Sequence, residues 1–422
     1  MKSLRQKTIG KLSTNQQDML TGLFLVLLIA VIYYAQWGIY LTHVPDSKVN
    51  IDLPQKYFWW ADDSREYRLT GDWLFGHADQ TWIELRPWFY PFLVGLARTI
   101  FAQSAERILW ISQFLMWLVS AIMIYITIYN AIQRVFPAMI GAILFFSHPS
   151  PLILTFHGMT ETLNILLLCI FCWLMSTGAK SRYLVAVFLL SLLTATKPTY
   201  QIQLALLLIY VIVKEIKLPK LRLTGWVAAA LIPVWIQIVV FHSYTGRLGI
   251  SDIGPYTFKY FYVAVVHSHS ENIDWHESEK AIEGWNLQQQ LSYLQAHPRE
   301  AWLTLRQNLI DTNLWIGSFF IRGENNRMIG FVETFNAVIT YAHLFMLPLV
   351  FYYLLSPTHK KNKALIAFIY GVFFIQTLIT AISTGQDDRL TVTGIPLWIV
   401  SYILVFFHLL THPEAEPSGV VR

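Results

Sequence analysis

The sequence predicts an all-α polytopic membrane protein with about ten transmembrane helices, and three observations carry that prediction. Of 422 residues, 55% are hydrophobic and 14% charged, where soluble domains carry about a quarter charged residues. Apolar runs close to bilayer length recur along the chain. The basic residues fall in short connectors between those runs, so the net charge of +5 reflects topology rather than a nucleic-acid-binding face.

Taken in order, residues 1–18 form a polar cytoplasmic segment carrying Lys2, Arg5, Lys7 and Lys11. The stretch that follows, LTGLFLVLLIAVIYYAQWGIYL, is too long for a signal-peptide core and has no small-residue cleavage site, so it reads as a retained first span. Nine further apolar segments lie near 108–130, 137–156, 163–177, 183–196, 200–213, 225–242, 330–355, 364–382 and 392–411. Arg134, then Lys180 with Arg182, then Lys214, Lys217, Lys220 and Arg222, then Lys360, Lys361 and Lys363 all fall on the side of the N-terminal lysines. That side is expected to be cytoplasmic, with both termini inside.

The assignment requires RPWFYPFLVGLARTIF, residues 86–101, to be an interfacial or re-entrant helix. The outer face then receives two large loops, 42–106 and 243–329, the second ending in an amphipathic stretch, HPREAWLTLRQNLIDTNLW, suited to the membrane surface. Residues 19–411 read as a single transmembrane domain without internal repeats, and 412–422 as a disordered tail. Cys169 and Cys172 in LLLCIFCWLM have no polar partners for redox or zinc chemistry and read as packing.

Charge at span ends on one common side is where chemistry is expected. Five places qualify: Asp62, Asp63 and Glu66 in ADDSREY, Arg86 in ELRPWFY, Glu161 in HGMTETLN, Lys197 in LTATKPTY, and Asp387, Asp388 and Arg389 in TGQDDRLT. Carboxylates accept a proton from an attacking hydroxyl or amine, and fixed Lys and Arg hold a departing phosphate. A lipid-linked sugar phosphate needs both.

Structural readings stand beside the functional ones. ADDSREY can be a solvated face paired by Arg65 and Arg68; Lys197 can snorkel to headgroups; Asp388 and Arg389 can satisfy each other. Trp59 and Trp60, after Tyr57 and Phe58, suit an interfacial belt, with sugar stacking as the alternative; His157 and Asp388 are further candidate sugar or acceptor contacts. His267, His269, Glu271, Asp274 and His276 in VVHSHSENIDWHE form a divalent-metal alternative that is not favoured, so no cofactor is expected.

The order of these motifs resembles the C-type (GT-C) integral membrane glycosyltransferases, with the protein O-mannosyltransferase and lipid A aminoarabinose transferase branch most similar. The likeness covers roughly residues 19–200. It implies that Asp62 is the first-loop catalytic aspartate with Asp63 as second member of the pair, that LTGDWL is the segment after it, and that Arg86 is the family's basic residue before proline. It implies Glu161 as the second-loop acid, and Thr196–Lys197 as the basic turn, with Pro198 where the family has glycine. Arg389 would match a late Arg-Tyr, with Leu390 in place of the tyrosine. Within the family, the likeness is to a compact, transmembrane-only member.

The expectation is therefore an inverting glycosyltransferase in a bacterial inner (plasma) membrane. It moves one sugar from a polyprenyl-phosphate donor to a lipid, glycan or protein acceptor at the outer face. Asp62, Asp63 and Glu161 are its catalytic acids, and Arg86, Lys197 and Arg389 bind the donor phosphate. Two alternatives stay open: a transporter or flippase for a lipid-linked or anionic solute, and an O-antigen polymerase or ligase type of enzyme built around loop 243–329.

Overall fold

The computed structural model describes residues 14–42, 63–179, 182–214, 220–314, 326–357, 362–383 and 390–411. Trp59, Trp60, Asp62, Asp387, Asp388 and Arg389 lie outside the described residues, as does the tail 412–422. Among the described residues the chain is helical, with no strand.

The chain begins with α1 (Thr14–Thr42), followed by a helical hairpin of α2 (Asp63–Leu74) and α3 (Phe89–Phe101). The long α4 (Ala105–Ile132) leads to α5 (Val135–Ser147) and the short α6 (Pro149–Ile153). Next come α7 (Glu161–Ser176), α8 (Arg182–Thr194), α9 (Gln201–Lys214), α10 (Lys220–Ala230) and α11 (Ile232–Thr245). Five shorter or amphipathic helices follow: α12 (Ile253–Phe258), α13 (Ala264–Glu271), α14 (Trp275–Ala281), α15 (Leu287–Ala296) and α16 (Pro298–Leu314). Three apolar helices, α17 (Asn326–Leu355), α18 (Lys363–Thr380) and α19 (Ile395–Thr411), complete the fold.

The count of about ten spans needs correction. Four stretches among the described residues are long and apolar enough to cross a membrane: Phe89–Ile132, Thr334–Leu355, Lys363–Thr380 and Val392–Thr411. Two bent pairs raise this to six, Val135–Ser147 with Pro149–Phe156 at 63° and Leu223–Ala230 with Ile232–Thr245 at 58°. The physical reason is helix length. The helices α7, α8 and α9 have 16, 13 and 14 residues, roughly 24, 20 and 21 Å at 1.5 Å per residue, short of a hydrocarbon layer of about 30 Å. The apolar segments 163–177, 183–196 and 200–213 correspond to these three short helices, and counting each of them as a span is what raised the number.

The main core forms where α4, α5, α7 and α19 meet, around fully buried Ala121, Ile124, Phe145, Leu168, Leu397 and Leu404. Cys169 and Cys172 are unpaired and buried within it. Gly141 lets α5 approach α4, because a Cβ there would meet Ile128 and Ile124 side chains.

Two features position Asp63, Glu66 and Arg86. Where α2 crosses α3, Gly71 and Gly95 face each other; a Cβ on Gly71 would lie 2.6 Å from the Pro91 carbonyl oxygen. Only glycine permits this contact, which seats the acidic first turn of α2. The second feature is Gln237 on α11, fully buried. Its Oε1 accepts from the Trp88 backbone N–H at 2.8 Å and its Nε2 donates to the Ile250 carbonyl at 2.5 Å. Trp88 Nε1 also donates to Pro233 O at 3.0 Å, and Asp252 N–H to Glu84 O at 2.8 Å.

The helix α16 is amphipathic in an unexpected sense. Its protein-facing stripe is polar, with Thr304, Asn308 and Thr312 buried, while Trp302 and Leu303 are exposed. Asn308 Nδ2 donates to Ala381 O at 2.9 Å, and Thr391 Oγ1 donates to Thr312 O at 2.8 Å. The polar stripe thereby holds both flanks of segment 384–389.

Candidate functional site

The first turn of α2 carries Asp63 and Glu66, three residues apart and so on one helix face. Arg86, just before Pro87, reaches back to both: Nη2 donates to Asp63 Oδ1 at 2.5 Å and Nε to Glu66 Oε2 at 2.6 Å. The three side chains are 12%, 25% and 24% exposed for Arg86, Asp63 and Glu66. The guanidinium also lies 5.3 Å from the Tyr67 ring centroid, and Tyr67 meets Tyr90 edge to face. Arg86 thus pairs with both acids, and Arg65 is exposed.

Lys197 precedes a proline-led turn with extended backbone (φ −143°, ψ 108°), a conformation that residues before proline favour. Its ammonium lies 3.5 Å from Glu161 Oε1. Glu161 opens α7 and is fully buried. The helix N-terminus and the Thr160 hydroxyl, 3.4 Å from Oε2, add favourable field to its charge.

These groups share one cavity. A space of about 570 Å³ is lined by Asp63, Glu66, Arg86 and Lys197 on its charged side, while Glu161 sits behind Lys197. Leu85, Pro87, Ile202, Phe261, Ile379 and Ile382 supply apolar wall. Ser383 and Leu390, the residues flanking segment 384–389 with Asp388 and Arg389, also line it. His157 does not line it; this histidine is buried in the turn before α7.

The structure adds residues that the motifs did not single out. Tyr67, Trp82, Ser251, Tyr256 and Thr380 line the cavity. Burial pushes the Tyr256 phenol above its usual range, reinforced by Glu279, Tyr260 and Glu66. It therefore stays protonated as a hydrogen-bonding hydroxyl. The available signal was the Gly254–Pro255 turn before an aromatic run, Tyr256 to Tyr262, inside what read as one long outer loop.

The histidine-rich segment is dispersed. His267 Nδ1 pairs with Ser278 Oγ at 3.0 Å, His269 Nδ1 with Thr304 Oγ1 at 3.3 Å, and His276 Nδ1 with Glu279 Oε2 at 3.2 Å. Glu271 accepts from Tyr293, and Asp274 caps α14. Among the described residues no group of three or more His, Cys, Asp or Glu is placed to hold a metal ion.

Chemically, the cavity offers carboxylates for proton transfer, two fixed cations for an anion, hydroxyls for polar ligand groups, and apolar wall beside them. Searches against protein-family models, curated proteins and solved structures return no match to this chain.

Proposed function

We propose that this chain is an inverting glycosyltransferase that takes one sugar from a polyprenyl-phosphate donor and places it on an acceptor at the outer membrane face. The observation that supports this reading most is the shared cavity, where an acid pair, an arginine and a lysine line the same space as apolar wall. A sugar phosphate with a prenyl tail presents the complementary chemistry.

In the proposed reaction the acceptor hydroxyl attacks the anomeric carbon from the side opposite the phosphate. The new C–O bond forms as the C1–O bond to phosphate breaks, and the bonding pair leaves with polyprenyl phosphate. The hydroxyl proton passes to a carboxylate of the Asp62–Asp63 pair. Arg86 orders Asp63 and Glu66 and keeps positive charge on the cavity wall. Lys197, oriented by buried Glu161, stabilises the charge developing on the leaving phosphate. Arg389 would join it from segment 384–389. No acid is needed for the leaving group, because phosphate departs as a stable anion.

The test is mass spectrometry of lipid-linked and envelope glycans in cells with and without the gene, complemented by wild type, Asp62→Asn or Asp63→Asn. Loss of one sugar without the gene, unrestored by the Asn variants, is expected; full restoration by both variants would remove the acid pair from the mechanism.

The two bent helix pairs favour a second reading, a transporter or flippase for a lipid-linked solute, since such proteins use broken helices. Reconstituted protein separates the two. Release of polyprenyl phosphate with sugar on the acceptor supports transfer, and transbilayer movement of intact donor supports the flippase.

A further inference from the structure

At the end of α8 and α9 opposite Lys197, the chain builds a second cationic feature. Arg182 opens α8 and Lys214 closes α9, and the two helices pack against each other. Lys214 Nζ lies 3.8 Å from the centroid of the Tyr183 ring and 5.5 Å from that of Tyr210. The Arg182 guanidinium sits 4.8 Å from the same Tyr183 ring, with Nη2 donating to the Tyr183 hydroxyl at 3.0 Å. Tyr183, Tyr210 and Phe368 form a three-ring cluster with centroids 4.8 to 5.8 Å apart. Tyr183 is buried, whereas Tyr210 and Lys214 are exposed.

Two further observations give this feature a direction. In the sequence, the connectors adjoining these two helix ends, GAKSRY and KEIKLPKLR, hold six basic residues against one acid. The exposed side of α9 carries Ile202, Leu206, Ile209 and Val213, an apolar stripe at helical spacing that ends beside Lys214. Cations at the foot of an apolar stripe, with aromatic rings between, match a phospholipid by layer: phosphate, glycerol level, acyl chain.

We propose that Arg182 and Lys214 bind the phosphate of an anionic phospholipid in the leaflet they face, with its acyl chains along α9. The site is independent of the glycosyltransferase reading, being at the opposite end of the bundle. Its effect is to fix the far ends of the helices whose near ends, at Lys197 and Gln201, line the cavity.

The experiment is native mass spectrometry of full-length protein extracted from nanodiscs of phosphatidylglycerol, cardiolipin and phosphatidylethanolamine. Wild type and Arg182→Lys/Lys214→Arg are expected to retain the anionic lipids over phosphatidylethanolamine. Arg182→Ala/Lys214→Ala is expected to bind them about 30-fold more weakly, for two surface cations. Equal retention by the alanine variant, or equal retention of phosphatidylethanolamine by wild type, would overturn the proposal. Thermal shifts with inorganic phosphate alone provide the second arm. Stabilisation by phosphatidylglycerol but not by phosphate supports a lipid site, and equal stabilisation refutes it. Should the alanine variant misfold, Lys214→Gln alone supplies the same comparison.

Discussion

Replacing Arg86 with alanine removes one cation from two carboxylates at once. Exposed ion pairs contribute about 0–1 kcal/mol, and stripping one partner from a sealed pair costs about 3–5 kcal/mol. Side chains 12% to 25% exposed lie between these limits, so about 2 kcal/mol is expected for the pair. Loss of the guanidinium over Tyr67 adds about 0.5 kcal/mol. In a chain of this length each kcal/mol lowers Tm by about 1 °C, giving a fall of about 3 °C. The assay is thermal unfolding of the detergent-solubilised protein. The decisive comparison is Arg86→Ala/Glu66→Gln, which removes the repulsion left between Asp63 and Glu66 and should recover about 1 kcal/mol. A double variant no more stable than Arg86→Ala, or Arg86→Ala within about 1 °C of wild type, would refute the bridging role.

Three further outcomes follow from the same geometry. Lys197→Ala takes a cation from the buried Glu161 carboxylate and should destabilise by about 3 kcal/mol, whereas Lys197→Ala/Glu161→Gln should be milder; equal melting of the two would dissolve the pair. Gly95→Leu places a side chain against Gly71 and Phe75 and should cost about 3 kcal/mol by prying α2 from α3, which chemical denaturation can measure. Gln133→Gly should raise stability by about 0.5–1 kcal/mol, because Gln133 caps α4 in the left-handed region at φ 61°; a fall in Tm would contradict this.

Much of the candidate site is legible because its chemistry sits in short, strongly charged islands within apolar sequence. Asp63, Arg86, Glu161 and Lys197 each stand out by cost alone, since charge at a span end needs a reason. Their partnerships are not legible. Arg65 and Arg68 are nearer to Asp63 in sequence than Arg86 is, yet a helical turn points Asp63 and Glu66 toward the loop that carries Arg86. Likewise nothing local to Glu161 announces Lys197, thirty-six residues on. The membrane architecture is legible in type but not in number. Hydropathy marks apolar segments whatever their length, and segments 163–177, 183–196 and 200–213 become α7, α8 and α9, each shorter than a bilayer is thick. The polar stripe of α16 escapes notice because Thr304, Asn308 and Thr312 resemble a solvated face until the segments they hold are in view.

The buried amide of Gln237 has a consequence for re-engineering this protein. By joining Trp88 to Ile250 through one side chain, it makes the two segments a single mechanical part. A chimera that exchanges only the first segment leaves the amide facing a foreign backbone, and one that exchanges only the second removes the amide and leaves the Trp88 N–H without it. Recombination is expected to work only when residues 82–92 and 230–257 travel together, so this part of the fold is inherited as a block.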